Sequence, residues 1–455
     1  MKRITLILVL IFTLTVFLMA MSTSIFAEKV SISFSYNSIK GGRGSQSAEW
    51  IEDVVVPLFE KDMKDKGIDV EVNCLPSGVS PADWKMQFVL DTKSGIGPDV
   101  AWIDLFWVPE LAEAKLLLPL NKYVKEWPIW DEYYEPAKKA GSHKNNVYAI
   151  MYGSDVRMVY YNRELFKKAG IAIPWQPYSW DGLLTTARII KEKLPGVIPL
   201  QINAGTDMGE ATTMQGLYMV LLGAGGRLYD WDTNKWIIDS PMLRDTLNFY
   251  KKVYIDEKLG DAEMQVTAQA RNKTFEAFQQ NKIAMLVEGT WFYSSVIAPS
   301  GSVPIPDRDE RVGWAAMPGK GTLGTPTFSC ISGGTGFAVN PNSKHPDLAW
   351  ELISTMLRSD ILVELFNKKP FSPIYKGFVE VPAVKGNKFI AETSKALMPY
   401  TTIRPAKSEY PEISYQAQLL TEEIVMGVSP EKALENYGQG IISIVGEENV
   451  EKLEQ

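Results

Sequence analysis

The sequence predicts an α/β fold of two lobes, with mainly parallel sheets flanked by helices. Three observations carry that prediction. The polar body opens as strand, helix, strand; the alternation recurs along the 455 residues; and no Pro-, Gly- or charge-rich linker divides the chain. At roughly 100–200 residues per domain, the length implies two or three units. Lobes that share several crossings explain why no linker separates them.

The first strand, Val30–Tyr36, alternates with period two. After the glycine-rich Gly41-Gly-Arg-Gly44, residues Ala48, Ile51, Val54, Val55, Leu58 and Phe59 share one helix face, with Pro57 as a kink and Gly67 as the end. Residues 68–72 alternate again, and strands joined through a helix favour parallel pairing. Residues 99–103 read as a short apolar strand and 109–117 as a helix. Asn162 is placed to cap a helix running to Gly170, and Ser179 one that Pro195-Gly196 stops. Residues 229–238 read as strand, turn, strand. Pro346 opens an amphipathic helix, and Ser429-Pro430-Glu431 combines a capping hydroxyl, a first-turn proline and an acid at the positive dipole end.

Ahead of the body, Lys2 and Arg3 precede an apolar run to Met21 and then Ser24-Ile-Phe-Ala27, the order of a secretory signal peptide. The expectation is an exported, periplasmic or otherwise extracytoplasmic protein, with no cysteine after the run to take a lipid. Without Lys2 and Arg3 the chain has 45 basic and 54 acidic residues, a net charge of −9 that would repel nucleic acid and anionic lipid. With 2 His and 2 Cys, histidine triads, multi-histidine metal sites and zinc ribbons are not expected, and no cofactor is implied. Cys74 and Cys330 could pair or stay free.

Three motifs fail on context. Gly319-Lys-Gly-Thr-Leu-Gly324 matches GxGxxG but sits between Pro318 and Pro326 rather than between strand and helix. Asp230-Trp-Asp-Thr-Asn234 begins like a calcium loop, but Lys235 replaces the turn glycine and Pro241 the bidentate acid. Cys330 stands where a nucleophile elbow needs its first glycine. What remains is carboxylates, arginines and aromatics at strand ends and in loops: Trp102-Ile-Asp104-Leu-Phe-Trp107, Gly153-Ser-Asp155-Val-Arg157, Glu288-Gly-Thr-Trp291-Phe-Tyr293, and Arg404 through Tyr410. Sugars stack an apolar face on aromatic rings and exchange hydrogen bonds with such polar groups.

Taken in order, several segments resemble the extracellular solute-binding proteins of ATP-binding-cassette importers, in the branch that includes maltose- and trehalose-binding proteins. They are Pro98-Asp-Val100 with residues 111–120; residues 148–152 and 160–170 with Ser179-Trp-Asp181; residues 278–285 with Gly289-Thr-Trp291; and residues 331–339 with Ala349-Trp-Glu351. The resemblance implies a periplasmic-binding-protein fold of class II type, each lobe a mainly parallel sheet flanked by helices, with the ligand cleft between the lobes. It implies lobe 1 over residues 28–153 and 331–380, and lobe 2 over 154–330 and 381–455, after a signal peptide at 1–27. By the same resemblance Asp155 and Arg157 contact ligand, Trp291 stacks on a sugar ring with Tyr293 in support, Gly333 and Gly334 bring backbone close, and Tyr410 closes the far side. Asn37 and Arg43 lie in a further contact loop, and Glu210 opens a second-lobe helix. The implied function is capture of a mono- or oligosaccharide by hinge closure and delivery to ABC permease subunits by a monomer, with no enzyme activity. A glycerol phosphate or other polar solute stays open, as does a secreted carbohydrate-active enzyme using Asp104 and Asp155 as paired acids.

Overall fold

The computed structural model describes residues 29–454; the expected signal peptide lies outside the described residues. Its strands are β1 (Val30–Tyr36), β2 (Val70–Pro76), β3 (Val100–Asp104), β4 (Ala149–Ser154), β5 (Arg157–Asn162), β6 (Ile198–Gln201), β7 (Ile283–Gly289), β8 (Val312–Ala315), β9 (Phe328–Ile331) and β10 (Gly334–Val339), with shorter pairs elsewhere. The first lobe's sheet has the order β2-β1-β3-β10-β4, and the second lobe's has β8-β5-β7-β6.

In each sheet one strand runs against the rest. Strands β2, β1 and β3 are parallel, and β10 is antiparallel to both β3 and β4, so β10 alone is reversed. In the second sheet β5 is antiparallel to β7 and β8, while β6 and β7 are parallel. The reversed strands are those that have just crossed over: β5 follows β4 after two residues, and β10 follows β9 after two. A strand leaving one sheet at its carboxyl end enters the other from the side where that sheet's own strands end. It must therefore run against them. The carboxyl ends of both sheets face the gap between the lobes, the place where open α/β sheets bind ligands.

Local expectations resolve as follows. The helix after Gly44 runs through Ser45–Trp50, a π turn at Ile51–Val55, and Val56–Asp65. The wider turn just before Pro57 accommodates the missing N–H that would otherwise break the ladder. Asn162 Oδ1 accepts from the N–H groups of Glu164 and Leu165, at 3.0 and 3.1 Å, and Ser179 Oγ from Gly182 at 3.1 Å. Ser429 Oγ likewise accepts from Lys432 N–H at 3.3 Å. The helix expected at 109–117 is shorter, Val108–Glu113, because Lys115 turns left-handed at φ 58°. The Gly319–Gly324 run is a loop, and residues 229–239 form an antiparallel pair.

Each sheet buries both faces, which is why its strands read as near-continuous apolar runs. Along β5, Val159 and Tyr161 enter the main second-lobe core while Met158 and Tyr160 pack on the opposite face with Phe278 and Phe292. The first-lobe core is drawn from residues 32–152 and 337–390. Val384 and Ile390 belong to it, so the stretch from 381 begins in the first lobe; Leu397 already packs with Tyr160 and Phe278 of the second lobe, Thr401-Thr402 pair with Cys330-Ile331, and the helices Tyr410–Val425 and Pro430–Val445 follow there. Cys74 and Cys330 are free thiols, one on each lobe's sheet system. Among the described residues no helix is long and apolar enough to cross a membrane.

Candidate functional site

Three chain crossings lie side by side between the lobes, and polar side chains fasten them. Asp155 Oδ1, in the first crossing, accepts the Gly333 N–H of the second at 2.8 Å and is also engaged by Arg157 Nη1. Arg157 Nη1 donates back to the Ile331 carbonyl at 3.0 Å, and its Nε to Gln215 Oε1 at 3.3 Å. The third crossing pairs Thr401-Thr402 in parallel with Cys330-Ile331, and Ser332 N–H donates to the Thr402 carbonyl at 2.9 Å. A Cβ at Gly333 would stand 3.2 Å from Arg157 Nη2 and 3.5 Å from Arg404 Nη2, so the bare backbone lets both guanidinium groups approach.

Arg404 spans the lobes. Its Nη2 donates to Asp104 Oδ1 of the first lobe at 3.1 Å and its Nη1 to Glu210 Oε1 of the second at 3.0 Å, with the guanidinium 4.0 Å over the Phe106 ring. Burial opposes this charge, but Asp104 and Glu210 outweigh it and hold the Arg404 pKa above its usual value. Desolvation raises the Asp104 carboxyl, with Arg404 pulling the other way. The side chain nevertheless remains 31% exposed, and Oδ2 accepts no hydrogen bond among the described residues. Asp155 Oδ2 is free in the same sense. Two carboxylates at the floor thus each keep one acceptor for an incoming hydroxyl.

The second-lobe wall is organised by Glu288, which is buried at the end of β7. Its oxygens accept from Asn203 and Gln215 at 3.3 Å and from Arg271 Nη2 at 3.2 Å. Arg271 in turn lies 4.6 Å over the Trp291 ring. Trp291 is half-buried and folds back over Gly289, where an added Cβ would meet its Nε1 at 2.3 Å. On the facing lobe, Asn37 Nδ2 and Arg43 Nη1 both donate to the Val79 carbonyl, at 3.1 and 3.2 Å, while Asn37 Oδ1 is buried without a partner among the described residues.

Not every residue expected at the site has an open face. Trp107 is buried and stacks on Trp84 at 5.8 Å, so it is a packing residue of the first lobe. Tyr410 is fully buried and donates to Glu210 Oε1 at 2.8 Å; Ser414 takes the other oxygen. Glu210 therefore anchors Arg404 instead of presenting a free carboxylate. Tyr293 is occupied by Asp309 and stacks on Phe389 at 4.2 Å. Gly334 lets Met151 pack against β10. Sequence reasoning missed Arg271 and Gln215, and held Glu288 and Phe106 only as members of candidate segments, without the roles they take here. Only Glu288 had a signal, a lone acid closing an apolar strand. A groove of about 740 Å³ on the first lobe's outer face, beside Tyr123, Trp127 and Trp350, is a weaker candidate. Its charges pair among themselves, Lys66 with Glu351 and Arg358 with Asp62, each at 3.1 Å.

Known proteins match over most of the chain. The family described as bacterial extracellular solute-binding protein matches residues 44–361. A binding protein of Brucella abortus is 23% identical over 372 residues, 82% of this chain and 85% of that protein. In fold the chain is similar to an ABC transporter solute-binding protein of Thermotoga lettingae bound with α-D-tagatose, with a TM-score of 0.75 and 23% identity over 92% of this chain and 100% of that one. It is also similar to the GacH receptor of Streptomyces glaucescens, solved unliganded and with acarbose, with a TM-score of 0.77 and 21% identity over 92% and 99% of the two chains.

Proposed function

Because the chain belongs to the bacterial extracellular solute-binding protein family, we propose that it captures a mono- or oligosaccharide between its lobes and hands it to the membrane permease of an ABC importer. The observation that carries this reading is the pairing of a half-open Trp291 ring on one wall with the free Oδ2 atoms of Asp104 and Asp155 at the floor. A sugar presents both an apolar ring face and a rim of hydroxyls, and the cleft offers a partner for each. Buried hydroxyl partners make the fit selective, because a solute without hydroxyls would leave the carboxylates unpaired. Sugars bound to the similar Thermotoga and Streptomyces proteins support the same class of solute.

The working step is closure. Contacts made to both lobes at once exist only when the lobes meet, so ligand shifts a hinge equilibrium toward the closed form that a permease reads. The chain makes and breaks no bond in this scheme, works as a monomer, and is exported by the signal segment at residues 1–27. Calorimetric titration with mono- and oligosaccharides tests the reading. One saturable site per chain without product formation is expected; steady release of shorter sugars would replace it with an enzyme.

A further inference from the structure

The upper cleft carries one cation from each lobe. Arg43, in the glycine-rich loop after β1, donates to a backbone carbonyl and pairs with no carboxylate among the described residues. The nearby acids are taken: Glu52 and Asp53 by Lys40, and Glu49 by Lys368. From the second lobe, Arg271 is fixed by Glu288 through Nη2 and Nε, at 3.2 and 3.4 Å, leaving Nη1 without a partner among the described residues. The segments touch beside them: Gln46 Nε2 donates to the Ser300 carbonyl at 3.3 Å, and Ser295 Oγ donates to Gln46 Oε1 at 3.3 Å. Arg43 itself is exposed; partial desolvation, and then the Arg271 charge on the other lobe, lower its pKa, as a like charge opposite would.

We propose that Arg43 and Arg271 form an anion subsite, so that the solute is a hydroxyl-rich molecule bearing one carboxylate or phosphate, held between the lobes beside Trp291. This rests on the saccharide reading and narrows it. The charges of the cleft divide accordingly. Arg157 is matched by Asp155 and Arg271 by Glu288, and Arg404 faces two carboxylates at the floor, which leaves Arg43 unmatched among the described residues at the other end. A neutral sugar would leave that cation uncompensated in a closing, drying cleft. Two like charges on opposite lobes resist closure, whereas an anion between them attracts both and turns the same pair into a closing force. Guanidinium groups suit the task because their planar donors match carboxylate and phosphate oxygens. The anion would then contribute to hinge coupling as well as to selectivity.

The test is calorimetric titration of the full chain with matched probes: glucose, galactose and mannose, the corresponding uronates and 1-phosphates, and disaccharides of the neutral and uronate kinds. At least one anionic probe should bind ten times or more tighter than its neutral counterpart, with a preference that shrinks as salt is raised. Arg43→Gln should remove most of that preference, so that charged and neutral forms bind within about threefold of each other, and leave Tm unchanged. The uronate and phosphate arms report which anion is taken. If a neutral sugar binds as tightly as its charged forms, or if Arg43→Gln keeps the preference, the subsite is wrong and the saccharide reading stands. If no probe of either kind binds, the saccharide reading falls and the subsite with it.

Discussion

Asp155 accepts the backbone N–H of Gly333 at 2.8 Å, so one carboxylate ties the first crossing between the lobes to the second. The same carboxylate pairs with buried Arg157, and its other oxygen accepts no hydrogen bond among the described residues. In the proposed binding mode the crossing and the ligand floor therefore share an atom group, and a solute hydroxyl on Asp155 would act directly on the crossing.

Asp155→Ala should lower both stability and affinity. It strips Arg157 of its partner in a buried setting, a loss of about 3–5 kcal/mol when one member of such a pair is removed. Urea denaturation should show this fall. Asp155→Asn, which keeps an acceptor for the Gly333 N–H, should recover part of it.

Trp291→Ala should weaken solute binding by about 1–3 kcal/mol through lost ring burial and stacking. Gly289→Ala offers a subtler probe. Its new Cβ would collide with Trp291 Nε1 and push the ring aside without deleting it, so affinity should fall and tryptophan emission should shift. Unchanged affinity in both variants would place the stacking surface elsewhere.

Trp107→Ala should cost about 3–5 kcal/mol of stability, in the range for truncating a large buried aromatic. The affinity of the folded variant for its solute should stay near that of the parent, because this ring packs on Trp84. Denaturation and titration of the same preparation separate the two effects.

Arg404→Met should destabilise the chain at neutral pH, since Asp104 and Glu210 would face the interior without their shared cation. The sign of the pH dependence follows from Asp104. Burial raises its folded pKa above the unfolded value, so the folded state binds the proton more readily and stability falls as pH rises between those values. Losing Arg404 raises that pKa further. The variant should therefore recover more stability than the parent when pH is lowered from 7 toward the carboxylate range, as followed by thermal melts.

Thiol labelling of the native protein should modify Cys74 and spare Cys330. Cys74 is partly accessible, whereas Cys330 is fully buried and its thiol is pushed up to about 11 by desolvation. Denaturant should expose the second thiol. Equal native reactivity would argue against the buried placement of Cys330.

Much of the fold was legible because its signals are local. The Asn162, Ser179 and Ser429 caps act within three residues, and the strand at Val30–Tyr36 shows its own alternation. The helix at 109–117 was overextended because nothing in its composition reveals that Lys115 turns left-handed. The site was legible in part. Trp291 and Asp155 stand out by position at a strand end and a crossing, but Trp107 stands at a strand end as well, and its burial depends on Trp84 from a distant helix.

By itself the sequence determined the α/β alternation, the caps and stops, and the family resemblance, all of which rest on short-range periodicity and motif order. Only the tertiary structure decided which charges are spent and which remain. Arg404 meets Asp104 across 300 residues of chain, Glu210 is consumed by that same arginine and Tyr410, and Arg43 is left without a carboxylate among the described residues. An ion pair depends on where two lobes bring distant side chains, and no local pattern encodes that distance.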